Sequence, residues 1–236
     1  HISYVQPHSP FTPPARFRER VNADRIPAPA APEWRDDSIR HRALEMTPDA
    51  DDPDWRERRA WYFADLVHLD EQLGRIYAAL EASDRLEQTL LILVSDHGEL
   101  LYDHGFRHKE HKHYDACIRI PLIIAGPGLN RDVTVDELVQ LEDVCPTILE
   151  LTDLTVPQIP VGGWFTKGPD EIPRFYGNSL VPFLRVGAAQ PPSWRDWVYI
   201  ESFNGIGAHD PSYFARTLRT ARYRYTRYPL GNGEQL

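Results

Sequence analysis

The segment from Thr89 to Ser95 (TLLILVS) constrains the fold more than any other part of the chain. Its length suits a strand rather than a helix. An unbroken apolar run also needs cover on both faces, which predicts a parallel sheet with helices on each side. A second apolar run, Ile120 to Ala125, stops at Gly126-Pro127-Gly128, a turn signal. Ahead of the first run, Tyr62, Leu66, Leu69, Leu73, Ile76 and Leu80 recur at intervals of three and four, the pattern of a helix with a stripe to lay on a sheet. Asp54 and Glu57 predict a capping box at its start, and the pattern runs out near Ser83. Strand and helix alternate, so the fold class is α/β.

The flanks are less regular. His1 to Val5 reads as a strand at the very start, which suggests a piece of a longer protein. Gln6 to Pro32 carries seven prolines and little periodicity, as in an extended loop that follows a surface and lines a site. Val133 to Gln140 is predicted as a third strand, and Leu141 to Leu151, with Pro146 in its first turns, as a helix. Thr155 to Pro192 is rich in proline and glycine and reads as a long connection with one short helix near Ser179 to Leu184. Val198 to Phe203, Arg216 to Ala221 and Tyr223 to Tyr228 resemble strands of a local antiparallel arrangement.

Composition removes several function classes. The 26 basic and 35 acidic side chains give a net charge of -9, the wrong sign for a partner of nucleic acid, and the arginines and tyrosines of Tyr223 to Tyr228 are read as a solvated sheet face. No run approaches the roughly 18 apolar residues of a membrane span. Cys117 and Cys145 lie outside any metal-type spacing and are expected to be buried small apolar groups. So few cysteines suit a bacterial cytoplasm or periplasm equally.

Polar chemistry concentrates just beyond the first apolar run. Five of the ten histidines and two of the three lysines fall between His97 and His113. Asp96 and His97 follow a strand's carboxyl end, where open α/β sheets bind their ligands, and Gly98 supplies a turn that lets both side chains reach one ion. A carboxylate oxygen favours calcium, magnesium or manganese, and an imidazole nitrogen shifts the preference toward manganese or zinc. Taken alone, the dipeptide equally fits a helix cap and a hydrogen-bonded histidine.

Ser95-Asp96-His97-Gly98-Glu99, Asp103-His104-Gly105, Lys109, Tyr114, the Arg119 to Ile123 run and Gly126-Pro127-Gly128 together resemble the sulfatase family of the alkaline-phosphatase superfamily. The likeness extends to His68 to Ile76, to Tyr4 to Pro14 with its Pro7-His8-Ser9-Pro10, and to Asp143 to Leu151, Gly177 to Leu184 and Leu218 to Tyr225. It implies a mixed sheet flanked by helices, with residues 1–190 as the rear of the catalytic domain and 191–236 opening a smaller antiparallel subdomain. It implies Asp96 and His97 as ligands of one divalent ion, calcium first, with manganese, magnesium or zinc as alternatives. Lys109 would contact the sulfuryl or phosphoryl oxygens, and His8 would face the leaving-group oxygen as a donor or general acid. The implied partner is a small-molecule sulfate or phosphate ester, and oligomeric state is left open.

The family nucleophile, a cysteine or serine in C/S-x-P-x-R that is oxidised to formylglycine, has no counterpart in residues 1–236, nor has the family's opening aspartate pair. In Cys145-Pro146-Thr147 the proline comes one residue early and no arginine follows in place. The formylglycine is therefore expected upstream, and the isolated chain is expected to be inactive. His113 is read as structural or second to the ligands rather than a direct participant, Lys112 as the alternative to Lys109 if the loop register slips, and Glu99 as an equal choice between support and neither role. His104 closes a turn in this reading, and His108 and His111 are solvated. Hydrolysis of sulfate esters is the leading function. Phosphonate or phosphate mono- or diester hydrolysis is its neighbour, and an inactive metal-binding or interaction fragment is the alternative from another class.

Overall fold

Tyr62 to Leu80 does fold as a helix. In the computed structural model, which describes residues 1–31, 53–109, 112–154, 177–189, 191, 193–202, 214–227 and the backbone of 234–235, the helix runs Trp55–Ala82 and closes on Ser83. After the short α1 (Ala15–Arg18) it is called α2. Ser83 Oγ donates to Ala79 O at 2.8 Å and ends the helix. The predicted capping box does not form. Asp54 stands at the N-cap with φ -93° and ψ 9°, outside the extended conformation from which a cap side chain reaches back, and it makes no side-chain cap bond.

The face that α2 buries also differs from the predicted stripe. Leu66 and Leu73 are exposed, whereas Arg59, Ala60, Ala64 and Asp65 are buried. The N-terminal segment packs on this helix, Phe11 meeting Tyr62 edge-on at 5.5 Å and Phe17 of α1 stacking on His68 at 4.5 Å. Burying Phe17 contributes about 1.5–3 kcal/mol. The proline-rich N-terminal segment thus packs on the helix, while Leu66 and Leu73 of the predicted stripe stay exposed among the described residues.

The two apolar runs form β1 (Leu91–Val94) and β2 (Leu122–Ala125). They pair antiparallel, with Leu91 opposite Ala125 and Val94 opposite Leu122, which corrects the expected parallel pairing. An apolar run specifies a strand but not the direction of its neighbour, and here the connection is the polar site loop rather than a crossover helix. Leu93, Val94 and Ile123 are exposed, so cover on both faces is not found among the described residues.

Neither His1 to Val5 nor Val133 to Gln140 is a strand. In the second case the backbone groups go to side chains instead of a ladder: Trp194 Nε1 donates to Leu138 O at 2.9 Å, and Gln140 N donates to Asp143 Oδ2 at 2.8 Å. The short helix α3 (Asp115–Ile118) precedes β2. A 3-10 turn at Leu141–Asp143 leads into α4 (Val144–Leu151), and α5 (Val181–Leu184) follows. Buried Asp143 anchors this region, receiving Arg195 in a two-pronged ion pair and the backbone N–H of Asn178. Much of the Thr155 to Pro192 connection lies outside the described residues, as do Phe203 and Tyr228 at the ends of two predicted strands.

The C-terminal expectation holds. β3 (Trp197–Ser202), β4 (Ala215–Thr220), β5 (Arg224–Arg227) and β6 (Glu234–Gln235) form an antiparallel sheet in chain order. A small core of Leu100, Phe106, Tyr114 and Cys117, with Ile118 packed against it, is drawn from the polar stretch itself and the short helix that follows it.

Candidate active site

β1 ends at Val94, and the next residues turn rather than continue the pleat, so Asp96 and His97 are freed from opposite faces. Ser95 Oγ donates to His97 O at 2.7 Å, and His97 N donates to Asp96 Oδ1 at 2.9 Å. His97 Nδ1 lies 2.9 Å from Gly98 O, which assigns the proton to Nδ1 and leaves the Nε2 lone pair open. That Nε2 is 3.6 Å from Asp96 Oδ2. Two donors each about 2.0–2.5 Å from one cation stand roughly 3–4 Å apart, so the pair fits one edge of a coordination sphere. Asp96 is 81% exposed on its side chain, open to an ion and to further ligands. Among the described residues no group of three His, Cys, Asp or Glu side chains is placed to hold a metal.

Gly98 fixes this turn in space. Its N–H donates to Cys117 O at 2.8 Å, and a Cβ there would lie 1.9 Å from Ala116 O. Only glycine permits so close an approach to α3. Cys117 also offers its thiol to Lys109 O at 3.7 Å, and Lys112 N donates to the same oxygen at 2.9 Å. The backbones of the Asp96-His97 turn and of Lys109 therefore share one small anchor.

Lys109 directs its ammonium to His8. Nζ is 3.1 Å from His8 Nε2, and His8 Nδ1 lies 2.6 Å from Ser9 O. With Nδ1–H donating to the carbonyl, Nε2 accepts from the lysine. The loop bearing His8 is held by its own turn, His8 N donating to Val5 O, and by α2, where buried Asp65 accepts the backbone N–H of Thr12. Burial raises the Asp65 carboxyl above its ordinary value, with His68 and the Thr12 bond opposing. Asp65 Oδ2 is buried without a hydrogen-bond partner among the described residues.

The remaining predicted residues take distinct places. Lys112 Nζ lies over the Phe106 ring at 5.7 Å, whereas Lys109 meets His8. His113 is buried at 3% exposure and hydrogen-bonds Thr217 Oγ1 at 2.7 Å and Ser202 Oγ at 2.6 Å, a structural placement. His104 adopts a left-handed φ of 59° in its turn and stacks on Tyr114 at 4.1 Å. Glu99 accepts Leu100 N at 3.2 Å, and its other oxygen is 3.8 Å from His108 Nδ1. His108 is half-buried: its Nδ1 is shielded beside the Glu99 carboxylate, while its side chain keeps 33% exposure. Burial and then the Glu99 charge raise the phenol of Tyr62. His111 lies outside the described residues. Cys117 is buried as expected, but Cys145 is exposed because its position on α4 faces away from Thr147, the residue that helix buries.

A family model described as Sulfatase matches residues 1–154. The chain belongs to the sulfatase family. Among relatives, the mouse protein named arylsulfatase K is 30% identical over 181 residues, 75% of this chain and 29% of that protein. The multifunctional alkaline phosphatase superfamily protein PehA of Trinickia caryophylli is 32% identical over 221 residues, 85% of this chain and 40% of its own length. The crystal structure of a phosphonate monoester hydrolase of Agrobacterium radiobacter superposes with a TM-score of 0.79 at 24% identity, over 100% of this chain and 48% of that one, and establishes the shared fold. The sulfatase-family chain thus spans less than half the length of these relatives.

Sequence reasoning missed the residues that hold this arrangement together. Cys117 was legible only as a buried apolar group, and Asp65, Ser202 and Thr217 carried no local signal, since each acts on a partner far away in sequence.

Proposed function

We propose that this chain is the rear part of a metal-dependent hydrolase of sulfate esters. The observation that carries the reading is the 3.1 Å approach of Lys109 Nζ to His8 Nε2. A fixed cation beside a proton-transferring ring meets both needs of a tetrahedral anion that is losing an oxygen leaving group. Lys109 contacts the sulfuryl oxygens. His8 faces the departing oxygen, and Ser9 O holds its Nδ1–H. Nε2, which accepts from Lys109 in the structure, is therefore the nitrogen that carries the proton once the ring is protonated and Lys109 turns to the sulfuryl oxygens. Asp96 and His97 supply two donors to a divalent ion, calcium first, with manganese, magnesium or zinc as alternatives. When bound, that ion adds positive charge beside the reacting group.

The nucleophile, a formylglycine, and the other metal donors belong to a segment upstream of His1. A formylglycine hydrate there would supply the nucleophilic oxygen, its hydroxyl proton passing to a base of that same segment, and His8 would protonate the alcohol oxygen released as the ester S–O bond breaks. On this reading residues 1–190 are the rear of the catalytic domain and 191–236 open the smaller subdomain. The isolated chain is inactive. If the upstream reading frame carries neither C/S-x-P-x-R nor an early aspartate pair, the chain is instead a metal-binding or interaction remnant.

A second reading, hydrolysis of phosphonate or phosphate esters, draws support from the 32% identity across 85% of the chain to a relative named as multifunctional. The test is a full-length protein assayed against aryl sulfate and aryl phosphonate esters. The expected result is the higher kcat/KM on the sulfate, and a clear preference for the phosphonate would sink the sulfatase reading.

A further inference from the structure

Four side chains, from the loop before α3 and from β3, β4 and β5, form one line: Ser202 Oγ to His113 Nε2 at 2.6 Å, His113 Nδ1 to Thr217 Oγ1 at 2.7 Å, and Thr217 Oγ1 to Thr226 Oγ1 at 2.7 Å. Thr217 and Thr226 are fully buried. Hydroxyls both donate and accept, so the line is satisfied in either tautomer of the ring. Two residues on, Asp115 Oδ1 receives Arg219 Nη1 at 3.1 Å and Arg224 Nη1 at 3.2 Å, and the Arg224 guanidinium lies 5.1 Å from the centre of the Tyr114 ring. Apart from the Thr217–Thr226 bond inside the sheet, each of these contacts joins β3, β4 or β5 to a residue between His113 and Asp115, at the mouth of α3.

We propose that His113 is a positioning residue through which the C-terminal sheet sets the place of Lys109. The connection is short. Lys112 N donates to Lys109 O at 2.9 Å immediately before His113, and Cys117 Sγ reaches the same oxygen from the other side of the Asp115 ion pairs. Buried, fully satisfied polar lines of this kind select one arrangement of a segment rather than many. Lys109 has a long flexible stem, so holding its Cα and carbonyl is what allows its ammonium to meet His8 rather than sweep the surface. The sheet is therefore part of the catalytic apparatus without touching substrate. This rests on the reading of Lys109 as the oxygen-contacting lysine.

The test uses the full-length protein with Ser202→Ala, Thr217→Val and Ser202→Thr, read by steady-state kinetics on an aryl sulfate and by hydrogen exchange. Ser202→Ala and Thr217→Val are each expected to lower kcat/KM about ten- to a hundredfold, chiefly through kcat, with Ser202→Thr restoring most of it because the hydroxyl returns. Exchange is expected to quicken in peptides from 106 to 118 and to stay unchanged in the C-terminal half of α2. Unchanged kcat/KM per folded molecule, or exchange rising equally everywhere, overturns the proposal. Should the wild-type protein hydrolyse no ester, the functional reading fails by itself. Exchange then decides the positioning role alone: a local rise at 106–118 sustains it, and none refutes it.

Discussion

Lys109 Nζ donates to His8 Nε2 at 3.1 Å across a sequence separation of 101 residues. The proline-rich loop and the histidine-rich loop have no secondary structure in common, yet each is tied down next to the contact, one by Asp65 on α2 and the other by Cys117 on α3.

Removing either member should affect turnover in different ways. In the full-length protein Lys109→Ala is expected to lower kcat/KM by about 10²–10³, as for loss of one donor to a developing anion, whatever the leaving group. His8→Asn is expected to cost about 10²–10⁴ on esters with a poorly acidic alcohol and much less on a nitrophenyl ester, whose departing oxygen needs no proton. A His8→Asn penalty independent of leaving-group acidity contradicts the assignment.

Gly98→Ala places a methyl group against backbone that cannot yield cheaply. With the added Cβ 1.9 Å from Ala116 O, either the Asp96-His97 turn or α3 must move. Urea unfolding is expected to show a loss of about 1–3 kcal/mol, the usual cost of overpacking, together with weaker metal binding. Wild-type stability and metal affinity would show that the approach of the two segments is looser than described.

Asp65 gives a pH signature. Its folded-state carboxyl is raised above the ordinary 3.8, mainly by burial, so the folded chain binds its proton more tightly than the unfolded chain does. Stability from this group is therefore highest at low pH and is lost as pH rises from 3.8 through the raised folded value. Asp65→Asn removes that loss while keeping an acceptor for Thr12 N–H. Thermal melts of both proteins across this range should show the wild type losing ground to the variant as pH climbs, and a constant difference in Tm counts against a buried, raised carboxyl.

The helix at Tyr62 to Leu80, both apolar strands and the C-terminal antiparallel strands were legible because each follows from local periodicity or an unbroken run. Strand direction and the buried face of α2 were not, since both depend on what the rest of the chain brings alongside. Leu66 and Leu73 have the helical spacing of a core stripe, yet the helix buries Arg59, Ala60, Ala64 and Asp65, and Phe17 stacks on His68. His1 to Val5 and Val133 to Gln140 have strand-like composition, but no partner edge meets them among the described residues. At the site, Asp96, His97, Lys109 and His8 could be named from the family likeness. The anchors Asp65, Ser202 and Thr217 could not, because a hydrogen bond between residues far apart in sequence leaves no local pattern, and Cys117 read only as a buried apolar group although its partner Lys109 is near in sequence.

The central claim is that Asp96 and His97 hold the ion on which Lys109 and His8 depend. It is tested most directly by purifying full-length wild-type and Asp96→Ala protein, measuring metal content by elemental analysis, and assaying the same samples on an aryl sulfate. The expected result is about one equivalent of divalent metal in the wild type, with both metal and turnover lost together in the variant. Wild-type-like turnover in Asp96→Ala, with or without its metal, would contradict the account.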